Sequence, residues 1–117
     1  MDCRIGYVTV GVKNLEGGVA FYRDLLGFSL MNSAPEFSYA AFDVGGMRFA
    51  IAAGADEAFT GRHSGIGFVV PDVDEAHAAL AAKGVEFTMP PSKQPWGGYM
   101  AMFTDPDGNH FYLDQQS

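Results

Sequence analysis

The chain has a single cysteine, Cys3, in 117 residues. That excludes an internal disulfide framework and a cysteine-rich metal knuckle. Cations are scarce as well: seven Lys and Arg against fourteen Asp and Glu give a formal charge of −7. No cluster of basic residues interrupts this acidity, so the chain repels nucleic acid and anionic membranes. No apolar run approaches the roughly 18 residues of a spanning helix. The start, MDCRIGYVTV, lacks the charged head, apolar core and cleavage site of a secretory leader. A cytoplasmic protein with no processed segment is expected. Also missing are the phosphate-cradling G-x-G-x-x-G and G-x-x-x-x-G-K-[ST] loops and the G-x-S-x-G nucleophile elbow.

What is present suffices for one globular domain, since 48% of the residues are hydrophobic and 14% aromatic. Residues 5–12, IGYVTVGV, read as a strand with Val8, Val10 and Val12 on one face and Tyr7, Thr9 and Gly11 on the other. Asn14 is placed to cap a helix starting at Leu15 or Glu16, which Gly27 stops. Extended structure resumes over 28–31, and strands at 38–43 and 47–52 flank the turn Val44-Gly45-Gly46. The stretch 54–63 is patternless and reads as a linker, with His63 exposed in it.

The pattern then restarts. A strand over 65–70 puts Ile66, Phe68 and Val70 on one face. Asp72 and Glu75 form an N-cap and N3 pair before a helix ending at Gly84, with His77 on its surface. Residues 85–89 are extended, 90–98 a loop, 99–104 a strand, and 109–114 the last strand after the turn Asp105-Pro106-Asp107-Gly108. Tyr7–Val12 overlays Gly65–Val70 at an offset of 58 residues, as Asn14 does Asp72, and Gly46–Ile51 overlays Gly108–Leu113 at 62. The expected fold is α+β: two βαβββ modules in pseudo-twofold arrangement, their curved mixed sheets around a cleft with the helices outside. Module 1 covers 2–53, the linker 54–63 and module 2 64–117, together one domain.

The stretches VKNLEGGVAFYRDLLGF (12–28), VVPDVDEAHAALAAKGVEF (69–87) and QPWGGYMAMFTDPDGNHFYL (94–113) carry a resemblance over nearly the whole chain. They resemble the vicinal oxygen chelate superfamily, which includes glyoxalases, extradiol dioxygenases and bleomycin-resistance proteins. Metal-using members hold a divalent cation on four strand residues. Carried onto this chain, the resemblance puts those positions at Tyr7, Ala50, Gly65 and Tyr112. Ala50 and Gly65 have no donor atom, and neutral phenols are poor ligands for such ions. Of the neighbours on the same faces only His110 could ligate. The resemblance therefore implies the metal-free, bleomycin-resistance-like branch, with no metal and no cofactor.

The alternation of His110, Tyr112 and Asp114 sends all three to one face of the last strand. The candidate ligand-binding residues are Tyr7, Tyr39, Trp96, Met100, Met102, His110 and Tyr112. They stand around a floor of small residues: Gly11, Ala50, Ala52, Gly65 and Gly67. Aromatic and thioether walls over such a floor suit flat or cationic ligands. The leading expectation is a binding protein for a cationic or aromatic antibiotic-like molecule, not an enzyme. The alternatives are a lyase or isomerase using His110 and tyrosines, or a non-standard metal, and a dimeric interaction module with a vestigial cleft. A homodimer is what the resemblance implies.

Overall fold

The computed structural model describes residues 1–54 and 57–116. Residues 55 and 56 of the expected linker, and Ser117, lie outside the described residues. The chain divides into two units, Met1–Gly61 and Arg62–Ser117.

In the first unit β1 (Tyr7–Val12), β2 (Ser29–Ala34), β3 (Tyr39–Val44) and β4 (Met47–Ala53) form a sheet in the order β1-β4-β3-β2. β1 runs parallel to β4, and the other pairs are antiparallel. A parallel pair needs a crossover, and the helical segment after β1 supplies it. Asn14 starts that segment as expected, accepting the Gly17 N–H at 2.7 Å. Only Leu15–Val19, α1, has α-helical spacing, however; Ala20–Leu25 continues as a π-helix. The wider turn sets the consecutive residues Phe21 and Tyr22 both into the core, where they are 4% and 0% exposed. Tyr22 packs on Phe28, Phe42 and Phe49, with ring centroids 5.1–6.1 Å apart. Each fully buried ring of this size contributes about 1.5–3 kcal/mol, which offsets the cost of the irregular turn.

The second unit repeats the plan. Its strands β5 (His63–Val70), β6 (Glu86–Lys93), β7 (Tyr99–Thr104) and β8 (His110–Gln115) are ordered β5-β8-β7-β6, and α2 (Val73–Ala82) is the crossover. Asp72 caps α2 by accepting the Glu75 N–H at 3.1 Å. The Gln115 side chain accepts from Val73 N–H and donates to the Pro71 carbonyl, both at 2.7 Å, tying the end of β8 to the helix start. The core lies between α2 and one face of the sheet, where Phe68, Phe103 and Phe111 form a ring cluster. The register confirms the internal repeat: Val8 pairs with Phe49 as Ile66 pairs with Phe111, at the offsets of 58 and 62. The protein is thus α+β, built of two similar modules, each with a four-stranded mixed sheet and one helical crossover.

Three local expectations change. His63 opens β5 instead of ending a linker, because β5 reaches back past a bulge to pair His63 with His110. β6 runs on to Lys93, so the loop before β7 is short; two register shifts let Pro90 and Pro91 sit in this edge strand. His77 is not a free surface residue: its ring meets Phe87 edge-on at 4.5 Å.

Tyr99 donates a hydrogen bond to the Asp74 carboxylate. That bond, with smaller desolvation and charge effects, raises the Tyr99 phenol above its ordinary pKa near 10. A raised phenol contributes stability that is full below the unfolded-state pKa and lost as pH rises through the folded-state value. Denaturation at about pH 9–11 should therefore show an alkaline decline that Tyr99→Phe flattens. An unchanged decline would mean that another group titrates there.

Candidate functional site

Each sheet turns one face toward its helix, and alternation assigns the other. In the first unit the face away from the helix reads Tyr7, Arg48 and Asp43 across one row, Thr9, Ala50 and Ala41 across the next, and Gly11, Ala52 and Tyr39 across the third. Tyr7 is 60% exposed, with the Arg48 guanidinium 5.9 Å from its ring centroid, and Tyr39 is half-buried. Gly11 is not free floor for a ligand. A Cβ there would lie 2.7 Å from the Phe59 carbonyl oxygen, so the glycine serves the close approach of the chain's own Phe59–Thr60.

In the second unit the corresponding face carries His110, Tyr112 and Asp114 from β8, with Thr104, Met102 and Met100 paired to them on β7. Thus Met100, Met102, His110 and Tyr112, four of the expected binding residues, come together on one sheet face. Met100 is buried and the other three are half-buried. Trp96 sits apart in the β6–β7 turn, 74% exposed. Its indole lies across Gly98, where a Cβ would meet Nε1 at 2.8 Å. The turn is closed by Gln94 N–H to the Gly98 carbonyl at 2.7 Å.

His63 is the residue that sequence reasoning missed. Between His63 and Ile66 the register shifts, with Gly65 at φ +73°. A side chain would be strained there, so Gly65 is explained by the bulge. The bulge lays the His63 ring beside both neighbours on β8. Its centroid is 5.1 Å from Tyr112 and 6.2 Å from His110, the two imidazoles being nearly parallel. His63 Nε2 and the Tyr112 hydroxyl are 2.8 Å apart. The Gly65 N–H donates to His63 Nδ1 at 3.1 Å. Ser64 holds the bulge by donating to the His110 carbonyl at 2.6 Å while accepting the Ile66 N–H. A glycine two residues after a histidine, at the point where the repeat's first strand begins, was the available signal.

The turn before β8 is structural, as its residues suggested. Buried Asp105 accepts N–H bonds from Asp107 and Asn109 at 2.9 Å, and the Asn109 side-chain amide at 2.8 Å. Asn109 in turn accepts the Arg62 N–H at 3.2 Å, and His110 N–H donates to the Arg62 carbonyl. The turn thereby fixes the residue next to His63.

The family model of the glyoxalase/bleomycin resistance protein/dioxygenase superfamily matches residues 4–113. The chain belongs to this superfamily. A member from Sphaerobacter thermophilus is 30% identical, with a TM-score of 0.84 and 98% of each chain covered. TnmS3, described as an antibiotic binding protein from Streptomyces sp. CB03234, is 28% identical at a TM-score of 0.84, covering 99% of this chain and 98% of its own. A lactoylglutathione lyase from Agrobacterium tumefaciens shares the fold at 21% identity and a TM-score of 0.79, covering 98% of this chain and 95% of its own. No curated protein matches the chain.

Metal-using members of the superfamily raise the question of a cation. The donor set does not fit one: Ala50 offers no ligand atom, Gly65 is a bulge glycine, Tyr7 is a phenol beside a guanidinium, and the Tyr112 hydroxyl is engaged with His63. Among the described residues no three His, Cys, Asp or Glu side chains converge as a metal site.

Proposed function

We propose that this protein binds a small, flat organic molecule, of the antibiotic-like kind, on the sheet face that carries Met100, Met102, His110 and Tyr112. It holds that molecule by stacking and polar contacts, without a metal. The observation that carries the reading is the face itself: a phenol, two imidazoles and two thioethers set side by side, with Tyr112 at a position that the resemblance gives to a metal ligand. The likeness to an antibiotic binding protein supports it. The acidic charge of −7 favours a cationic ligand, whose affinity should weaken with salt. Trp96 on the β6–β7 turn is a further contact, and a homodimer in the cytoplasm is the assembly and compartment.

A thermal-shift panel of cationic aromatic natural products tests the reading. A ligand at about 100 times its dissociation constant adds roughly 2.7 kcal/mol of stability. That shift should disappear in Tyr112→Ala; an undiminished shift would place the ligand elsewhere. Protein purified without chelator should contain no stoichiometric divalent ion, and one equivalent of zinc, nickel, iron or manganese would overturn the metal-free reading.

A second reading is favoured by the Tyr112–His63 bond, because a phenol beside an imidazole can move a proton. In that case the face turns over its ligand. Turnover lost in His63→Ala and His110→Ala, with binding kept, would establish the enzyme.

A further inference from the structure

The hydrogen bonds around His63 have a direction, and it selects the ligand. The Gly65 N–H points at His63 Nδ1, so that nitrogen is the acceptor. In the neutral ring the proton then sits on Nε2, and the Nε2–H donates to the Tyr112 oxygen 2.8 Å away. Tyr112 keeps its own O–H proton free for another partner. The hydroxyl end of Tyr112 is therefore a donor, already supplied with the hydrogen bond it would otherwise accept.

The other end of the same tyrosine carries the opposite character. Gly67 pairs with Tyr112, and a Cβ at Gly67 would meet Asp114 Oδ2 at 2.9 Å and Tyr112 Cβ at 3.5 Å. The Asp114 carboxylate thus lies over Gly67, in the space a side chain would fill, next to the Cβ end of Tyr112. Asp114 is half-buried on the ligand face, with Met100 paired beside it. An anion at one end of the phenol ring and a hydroxyl donor at the other make a polarised platform one tyrosine long.

We infer that the ligand is a planar ring system carrying a carbonyl-type acceptor at one end and an ammonium, or another N–H donor, about one tyrosine side chain away. The acceptor meets the Tyr112 hydroxyl and the donor meets Asp114, while the ring lies against Tyr112 between Met102 and His63. This rests on the binding reading above and specifies its ligand class. It explains two small residues as well: Gly65 so that its N–H orients the imidazole, and Gly67 so that the carboxylate has room.

Four probes test it by titration calorimetry: xanthone and xanthene, each with and without a dimethylaminomethyl group on a ring carbon remote from position 9. The amine-bearing xanthone should bind tightest. The carbonyl should be worth about five- to tenfold over the matching xanthene, and the ammonium about ten- to a hundredfold, as hydrogen bonds to neutral and charged groups are. Tyr112→Phe should abolish the carbonyl preference and keep the ammonium preference. Asp114→Asn should do the reverse. Gly67→Ala, which displaces the carboxylate but leaves the hydroxyl in place, should follow Asp114→Asn. If the probes bind wild-type protein without these preferences, or if Tyr112→Phe keeps the carbonyl preference, the inference falls while the binding reading stands. If no probe binds at all, both fall.

Discussion

Asp105→Ala should lower the unfolding free energy by about 3 kcal/mol, because it removes a buried carboxylate that accepts three hydrogen bonds. Asp105 is 3% exposed and Asn109 2%. The Asp105 carboxylate accepts both the backbone N–H and the side-chain amide of Asn109, besides the Asp107 N–H. Alanine takes away the carboxylate that receives the backbone N–H and the side-chain amide of Asn109 inside the protein. Losing the partner of a buried polar group costs about 1–3 kcal/mol, a large share of the roughly 5–15 kcal/mol that holds a domain folded. Asp105→Asn keeps an acceptor oxygen but turns an amide N–H₂ toward a donor, so its loss should be intermediate. Urea denaturation reads the difference as a lower midpoint at constant slope. A loss below about 1 kcal/mol would mean that water replaces the carboxylate. The effect should reach the ligand face too. Asn109 holds the Arg62 N–H, and a loosened Arg62 releases His63 from its place beside Tyr112.

Phe111→Ala should cost about 3–5 kcal/mol. The ring is 0% exposed, with centroids 5.3 Å from Phe68 and 5.5 Å from Phe103. Its removal leaves a cavity that three strands must collapse to fill. Phe111→Leu, which keeps most of the volume, should cost far less. The pair separates packing from function, because Phe111 faces α2 while its neighbours His110 and Tyr112 face the other way. The leucine variant should retain ligand affinity in the thermal-shift assay within about threefold, well under the tenfold that 1.4 kcal/mol makes. A larger loss would show that the strand's position on the ligand face depends on the shape of this one ring.

The plan of the fold was legible because the chain states it twice. Val8 and Ile66, Asn14 and Asp72, and Phe49 and Phe111 occupy matching places in the two units, so each module confirmed the reading of the other. The face assignments followed from alternation alone, which is why Met100, Met102, His110 and Tyr112 fell together. What stayed hidden was whatever broke a period. The bulge at Gly65 moves His63 from an apparent linker into the strand, and no alternation rule survives two extra residues. The π-helical turn at Ala20–Leu25 is likewise invisible to a 3.6-residue period, because it turns the adjacent Phe21 and Tyr22 inward together. Gly11 was misjudged for another reason. Smallness in the sequence indicates that something comes close, and here it is the chain's own Phe59–Thr60 and not a ligand.

Trp96 is the chain's single tryptophan, and it lies 74% exposed on a turn, away from both aromatic cores. The fluorescence of this protein therefore has an unusual division of labour. Unfolding moves Trp96 from one watery setting to another, so emission stays nearly silent while the cores melt, and circular dichroism must carry the stability measurements. The same placement leaves the indole as a built-in reporter of events at the β6–β7 turn, on a background that core disruption does not disturb.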